Sequence, residues 1–219
     1  MGRRLGVLVA VGVLVLGAVG AGPAQAAPET RDCPAGELFA TNNTAVITDP
    51  DDPRLEDRLH RFDREVRAVI RAHGARPAGS TLLDGVFWSV DLKRATYERS
   101  RKFDVDRVGA AGLRHLADTV RKEYAQEAVL TFRCLPRTSP RTDAAEIEAP
   151  GVSATALREA LLADPEARDR LGGGSVALDG RLLLVTPLAD LPLARRFADR
   201  LGVDWTTAKI RYGDSEFVS

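Results

Sequence analysis

Apolar residues recur at helical spacing in several stretches of this chain. Leu59, Phe62, Val66 and Ile70 follow one another at intervals of three or four residues, which predicts a helix over 52–74 with one buried face. Similar stripes predict helices over 110–124, 153–171 and 191–202. Pro165 lies inside the third of these stretches, so we expect that helix to be broken into two pieces.

Shorter stretches alternate apolar and polar residues, or are rich in β-branched and aromatic residues, and both patterns are typical of strands. In the first half of the chain they predict strands over 37–41, 79–90, 95–106 and 127–135. In the second half they predict strands over 144–149, 174–178, 181–186 and 205–212.

The order of these elements is strand, helix, strand, strand, helix, strand, and it occurs twice. This is the order of the ferredoxin-like fold, in which two helices cover one face of a four-stranded antiparallel sheet. Residues 136–143 combine prolines with small polar residues and no periodicity, which predicts a linker. We expect an α+β protein with ferredoxin-like domains at 27–135 and 144–219. Alternatively, the two sheets close face to face into an α+β barrel with a central pocket.

Two seven-residue segments resemble one another. GSTLLDG occupies 79–85 and GSVALDG occupies 174–180, and five of the seven letters match. Each segment falls in the third element of its series, so the match agrees with a duplicated fold. Asp179 and Gly180 lie between two apolar runs and predict a two-residue hairpin turn, whereas Gly85 is predicted to mark a bulge within a strand.

The first 26 residues have the three parts of a secretory signal. Arg3 and Arg4 give a positive start, an apolar run follows, and Ala24 and Ala26 are the small residues of a cleavage site. We expect the mature protein to begin at Ala27 and to be secreted. The Ala-, Gly- and Arg-rich composition is typical of a bacterium with a GC-rich genome.

The charge balance argues against two classes of partner. The chain has 31 basic and 31 acidic residues, and removal of Arg3 and Arg4 leaves a small acidic excess. A nucleic-acid-binding domain usually carries a basic excess, and a membrane-surface protein a polybasic patch. We therefore expect neither nucleic acid nor, after signal removal, a membrane as partner.

Cys33 and Cys134 are the only cysteines. In an exported chain an even number of cysteines favours a disulfide. Cys33 precedes the first predicted strand and Cys134 ends the fourth, and in a ferredoxin-like sheet these strands are antiparallel neighbours. Antiparallel pairing brings those two ends together, which predicts a Cys33–Cys134 bridge.

No familiar catalytic or metal-binding motif is present. His60, His73 and His115 lack the spacing of metal ligands, and neither a nucleophile elbow nor a phosphate-binding loop occurs. We expect no metal and no cofactor, and no catalytic residue is identified.

The densest polar cluster is YERSRK at 97–102. On a strand of an open sheet face, its charges together with nearby aromatic side chains could bind a small anion or a protein partner. The alternative is a solvated row of cross-strand ion pairs. The candidate ligand-binding residues are Asp84, Trp88, Tyr97, Glu98, Arg99 and Arg101.

The segments GELFATNN, GSTLLDGVFW, YERSRKF and YAQEAVLTF resemble a bacterial family of small secreted proteins known only as a domain of unknown function. The resemblance covers 36–132, and Arg101 stands where the family pattern has lysine. It implies a ferredoxin-like or α+β-barrel fold and implies no activity.

Two functions agree with these patterns. The first is a secreted binding or interaction module for a protein or a small molecule. The second is a cofactor-free small-molecule enzyme that uses Asp84, Glu98 and Arg99 in a pocket between the two sheets. A flat, hydrated sheet face would favour the module, whereas a pocket between the sheets would favour the enzyme.

Overall fold

The structure, a computed structural model, describes residues 33–42, 54–84, 87–91, 94–96 and 100–219. They belong to one compact unit, Arg31–Ser219. The predicted signal at 1–26 lies outside the described residues, as does Gly85.

Ten strands in the described part of the chain form one antiparallel sheet in the order β2-β5-β1-β6-β10-β7-β9-β8-β3-β4. The strands of the first half are β1 (Gly36–Ala40), β2 (Arg76–Leu83), β3 (Phe87–Ser89), β4 (Arg94–Thr96), β5 (Ser100–Asp106) and β6 (Val129–Cys134). Those of the second half are β7 (Ala144–Ala149), β8 (Gly173–Val176), β9 (Leu182–Pro187) and β10 (Lys209–Val218). The chain is therefore of the α+β class, as predicted.

Five α-helices accompany the sheet within the described residues: α1 (Arg54–Ala72), α2 (Ala110–Glu123), α3 (Ala154–Ala163), α4 (Pro165–Arg170) and α5 (Leu191–Arg200). The predicted break at Pro165 is confirmed. The Ser153 hydroxyl accepts a hydrogen bond from the Ala156 amide and caps α3, while Asp164 caps α4 in the same way through the Ala167 amide. Pro165 then occupies a first-turn position in which no amide hydrogen is needed.

Two of the predicted strands are divided. The segment 79–90 contributes to β2 and β3, and the segment 95–106 contributes to β4 and β5. The division follows a change of partner, because β2 pairs with β5 whereas β3 pairs with β4 and β8. Local alternation predicted strand character correctly, but it carries no information about which neighbour each part of a strand will meet.

Each half of the chain has its own core between the helices and the sheet. In the first half, Phe62 of α1 packs edge-on against Phe103 of β5 and against Tyr124, which follows α2. In the second half, Phe197 of α5 lies 6.3 Å from Trp88, measured between ring centroids. Except for Tyr124, these residues are almost completely excluded from solvent, so both helix stripes predicted from the sequence are buried against the sheet.

The opposite face of the sheet, here called the inner face, is also buried. An inner apolar cluster draws residues from both halves of the chain: Phe39, Leu83, Leu130, Phe132, Ala144, Ala177, Leu183 and Val185. The sheet is strongly curved, because Lys102 on β5 and Glu148 on β7 lie 3.3 Å apart although four strand positions separate β5 from β7. In a flat sheet, strands this far apart in the order would be separated by about 19 Å.

The two repeated segments pair with each other. Leu83 forms an antiparallel bridge with Ala177, the Asp84 amide donates to Val176, and the Leu178 amide donates to Leu82. The predicted two-residue hairpin in the second copy is instead a three-residue loop over 178–180, closed by the Ala177 amide donating to the Arg181 carbonyl. Gly180 supplies the positive φ of +79° that such a loop requires.

Cys33 and Cys134 form the predicted disulfide, with their Cα atoms 6.1 Å apart. The two cysteines meet because β1 and β6 are antiparallel neighbours, with Glu37 opposite Phe132.

The predicted linker at 136–143 is held by backbone hydrogen bonds at both ends. The Leu135 amide donates to Tyr212 at 2.9 Å, and the Asp143 amide donates to Gly213 at 3.0 Å. Beside it, β6 and β10 pair over six residues of each strand. The division into domains at 27–135 and 144–219 stays a prediction.

Candidate functional site

Arg101, one of the candidate ligand-binding residues, is buried on the helix side of the sheet. Its Nε atom donates to the Leu59 carbonyl of α1 at 3.0 Å, and its Nη1 atom donates to Ser80 at 2.9 Å. Asp63 lies 3.6 Å from the same guanidinium. These contacts tie α1 to strands β2 and β5.

The other candidates are dispersed. Trp88 is 1% exposed, and its ring lies directly over Gly174, where a Cβ atom would be 2.6 Å from it. Asp84 is half-buried at the end of β2. Tyr97, Glu98 and Arg99 lie outside the described residues.

A different group of polar residues meets on the inner face. Six side chains from four strands of the sheet form what we call the charged cluster: Glu37, Lys102, Asp104, Glu146, Glu148 and Arg211. Glu37 lies on β1, and Lys102 and Asp104 lie on β5. Glu146 and Glu148 lie on β7, and Arg211 lies on β10. Their neighbours along each strand face the helices, so period-two alternation places these six residues on the inner face.

The Lys102 ammonium lies among four carboxyl groups. Its Nζ atom is 2.7 Å from Glu37, 3.3 Å from both Asp104 and Glu148, and 3.7 Å from Glu146. Burial lowers the pKa of Lys102, but the charges of the surrounding acids outweigh burial and raise the pKa above its ordinary value. Lys102 is therefore a fixed cation here, and it is unsuited to act as a base or a nucleophile.

Arg211 is the second buried cation of the charged cluster. Its Nη2 atom is 2.8 Å from Glu37 and 3.1 Å from Glu148, and it also donates to Glu146. As with Lys102, burial opposes the charged form and the neighbouring carboxylates outweigh it, so the pKa of Arg211 is raised.

Glu37 and Glu146 are a pair of buried acids that share both buried cations of the cluster, Lys102 and Arg211. They are 1% and 0% exposed, and Glu37 Oε2 and Glu146 Oε1 have no hydrogen-bond partner among the described residues.

The pKa values of these two acids are shifted in opposite directions. Burial, followed by the charge of Glu37, raises the pKa of Glu146 well above its ordinary value. For Glu37, burial again raises the pKa, but the hydrogen bond from Glu146 and the charges of Lys102 and Arg211 outweigh burial and lower it. An acid with a raised pKa beside an acid with a lowered pKa is the arrangement of a proton donor, here Glu146, next to an anion, here Glu37.

The charged cluster is closed at its centre and more open at one side. Lys102 and Arg211 are almost fully buried, whereas the side chains of Glu148 and Asp104 are 14% and 25% exposed. Asp104 lies opposite Gly79 of β2, and a Cβ atom at Gly79 would collide with its carboxylate. Glycine at this position therefore makes room for the acid at the accessible side.

Two buried hydroxyl groups also lie on the inner face. Ser100 and Ser175 are 6% and 1% exposed, and neither Oγ atom has a hydrogen-bond partner within the described part of the protein. Buried polar groups are nearly always satisfied, so a hydroxyl without a partner needs an explanation such as a bound molecule. Ser100 is two residues before Lys102 and shares its face of β5.

Within the described ranges, no three or more His, Cys, Asp or Glu side chains are arranged to hold a metal ion. His73, which follows α1, and His115 on α2 are exposed, with ring centroids 5.1 Å apart. Among the same described residues, no helix has the length and apolar character needed to cross a bilayer.

Comparisons with protein-family models, with curated proteins and with solved structures gave no match to this chain. The site is therefore interpreted from its own geometry.

Sequence reasoning missed the charged cluster. Glu146 and Glu148 alternate with apolar residues in AAEIEA, and Arg211 alternates in the same way in KIRY. Alternation of this kind is equally typical of a strand whose polar face meets water. The one available signal was the possibility of a closed barrel, because closure would turn such polar faces inward.

Proposed function

We propose that the chain consists of two ferredoxin-like units that close into one α+β barrel. The strand orders β2-β5-β1-β6 and β10-β7-β9-β8 support the two units, since each is the order expected for a ferredoxin-like sheet. The units join through β6 and β10. The bridge between Leu83 and Ala177 supports closure, because it links β2 to the end of β8 on the far side of the sheet.

We further propose that the protein is a secreted binding module whose ligand is a small molecule held inside the barrel. The observation that carries this proposal is the charged cluster, which gathers six ionisable side chains across the interior. Burying charges costs several kcal/mol per ion, and apolar residues of similar volume would often stabilise the fold as well or better. A cluster retained at such a cost, with strongly shifted pKa values, is typical of a functional site.

The remainder of the inner face suits the same function. The inner apolar cluster provides a hydrophobic wall, and Ser100 and Ser175 provide hydroxyl groups that have no hydrogen-bond partner among the residues the structure describes. Small-molecule sites usually combine apolar walls with a few convergent polar groups. The disulfide is compatible with an extracellular location, which agrees with the signal predicted at 1–26.

Native mass spectrometry of the protein purified from its natural host tests this function. We expect a species heavier than the polypeptide, which loses the additional mass on denaturation. Glu148→Gln should reduce the retained species, because it removes one charge from the accessible side of the cluster. Arg114→Gln is the matched control, since Arg114 pairs with Glu216 on the outer surface, 3.2 Å away. Only the bare polypeptide mass in the wild type, or equal retention in Glu148→Gln, would contradict the proposal.

A second function, a cofactor-free enzyme, is favoured by the carboxyl pair. A buried acid that keeps its proton beside an ionised one can donate a proton to a bound substrate. In this alternative Glu146 is the general acid, and Lys102 and Arg211 stabilise negative charge that develops on the substrate. Turnover of a retained ligand that is lost in Glu146→Gln would distinguish the enzyme from the binding module.

A further inference from the structure

Arg181 is the third cation in contact with the charged cluster, and it approaches from the accessible side. It follows the hairpin loop over 178–180, and its side chain is 37% exposed. Its Nη1 atom lies 3.4 Å from Glu148, and its Nε atom donates to Asp179 at 2.7 Å. Arg181 therefore has one partner in the cluster and another on its own loop.

The contact with Glu148 is the weaker of the two. A separation of 3.4 Å is long for a charge-assisted hydrogen bond, whereas 2.7 Å is optimal. The Arg181 amide also donates to Asp179, at 3.2 Å. Asp179 can therefore hold the arginine after its guanidinium leaves Glu148.

The charge of the cluster indicates what would replace the guanidinium. Four carboxyl groups share two buried cations, Lys102 and Arg211. Without Arg181 the acidic groups of the cluster therefore outnumber its cations. In addition, the Asp104 side chain is 25% exposed and its Oδ1 atom lies 3.3 Å from the Lys102 ammonium, so its carboxylate offers a further acceptor to a donor at the accessible side.

We propose that the charged cluster binds a small organic monocation, a guanidinium or a primary ammonium, in the place beside Glu148 that the Arg181 guanidinium occupies. The inference rests on the proposed binding function and specifies its class of ligand. The bound cation pairs with Glu148 and Asp104, while Arg181 turns to Asp179. An anion would meet carboxyl groups that outnumber the cations of the cluster.

Calorimetric titration with methylguanidinium tests the inference, with methylurea as a neutral probe of nearly the same shape. Arg181→Gln should bind methylguanidinium at least tenfold more tightly than the wild type, because the competing side chain is gone. Methylurea should bind neither protein. The double variant Arg181→Gln/Glu148→Gln should lose the binding gained.

Arg133→Gln provides the matched control. Arg133 pairs with Asp214 at 2.8 Å on the helix side of the sheet, so its removal also leaves a carboxylate without its arginine. This variant should not gain affinity for methylguanidinium. Equal gains in Arg133→Gln and Arg181→Gln, binding of methylurea, or no binding to Arg181→Gln would each overturn the inference.

A measurement on the wild type avoids dependence on any variant. Saturating methylguanidinium should shift the Nε–H resonance of Arg181 in a nitrogen-15 spectrum, and an unmoved resonance would count against displacement.

The retained ligand and the methylguanidinium titration together separate the binding function from the inference about its class of ligand. An anionic ligand retained from the host would overturn the inference and leave the binding function standing. Methylguanidinium binding without any retained ligand would support the inference and would count against a ligand carried through purification from the host.

Discussion

The Nζ atom of Lys102 on β5 lies 3.3 Å from a carboxylate oxygen of Glu148 on β7, although β1, β6 and β10 lie between these strands in the sheet. Side chains this far apart in strand order meet only when the sheet curves round on itself. The contact therefore links the fold to the site, because the same curvature buries the inner face and gathers its charges.

Lys102→Met should destabilise the protein by about 3–5 kcal/mol, because it leaves the buried Glu37 and the neighbouring Asp104 without their closest cation. Arg114→Gln, which removes an exposed ion pair, should change stability by no more than about 1 kcal/mol. Urea unfolding of both variants measures the difference. Similar small effects would mean that Lys102 reaches water and that the cluster is not buried.

Glu146 should make the free energy of unfolding depend on pH. Its pKa in the folded protein lies well above the ordinary value of 4.5, so the folded state keeps a proton that the unfolded state releases. The stability from this proton is complete below pH 4.5 and is lost as pH rises through the folded pKa, with a slope of at most about 1.4 kcal/mol per pH unit. Glu146→Gln, which mimics the protonated acid, should remove this loss.

Urea unfolding of wild type and Glu146→Gln at several pH values checks the effect. The difference between the two curves isolates this group, since the other carboxyls are common to both proteins. A constant difference between pH 4.5 and 8 would contradict the assignment of the proton.

The Cys33–Cys134 disulfide closes a loop with a sequence separation of 101 residues. Its removal in a Cys33→Ser/Cys134→Ser variant should cost about 4–5 kcal/mol on the chain-entropy account. Thermal unfolding should likewise show that the protein is less stable with reductant than without it. Two free thiols in the denatured, unreduced protein would contradict the bridge.

The two halves should unfold together, because the inner apolar cluster takes side chains from both. Trp88 and Trp205 belong to the core of the second half, so tryptophan fluorescence reports on that half. Phe103→Leu alters the core of the first half and should cost about 1–2 kcal/mol, less than truncation to alanine. We expect this variant to shift the fluorescence transition by the same amount as the circular-dichroism transition. A fluorescence transition that does not move would indicate independent domains.

The helices and the disulfide could be predicted because their signals are local or follow from strand order. Leu113, Leu116 and Val120 are buried on one face of α2, as their spacing indicated. The cysteine pairing needed only the positions of two residues relative to adjacent strands. Repetition of the element order likewise predicted the α+β class.

The site could not be predicted in the same way. Arg101 was predicted to lie on an open sheet face, but its long side chain reaches the Leu59 carbonyl and is buried in the protein rather than presented to a ligand. Glu37 and Glu146 approach one another from strands of different halves. No local pattern encodes such a meeting, because it depends on the curvature of the whole sheet.

A double-mutant cycle between Lys102 and Glu148 tests the central claim most directly. Lys102→Met, Glu148→Gln and their combination are compared with the wild type by urea unfolding. Contact across the interior predicts a coupling energy of about 0.5–3 kcal/mol, whereas residues more than about 10 Å apart are additive within about 0.5 kcal/mol. A coupling energy near 1 kcal/mol or above would agree with a charged cluster gathered inside a curved sheet. Additive effects would contradict it.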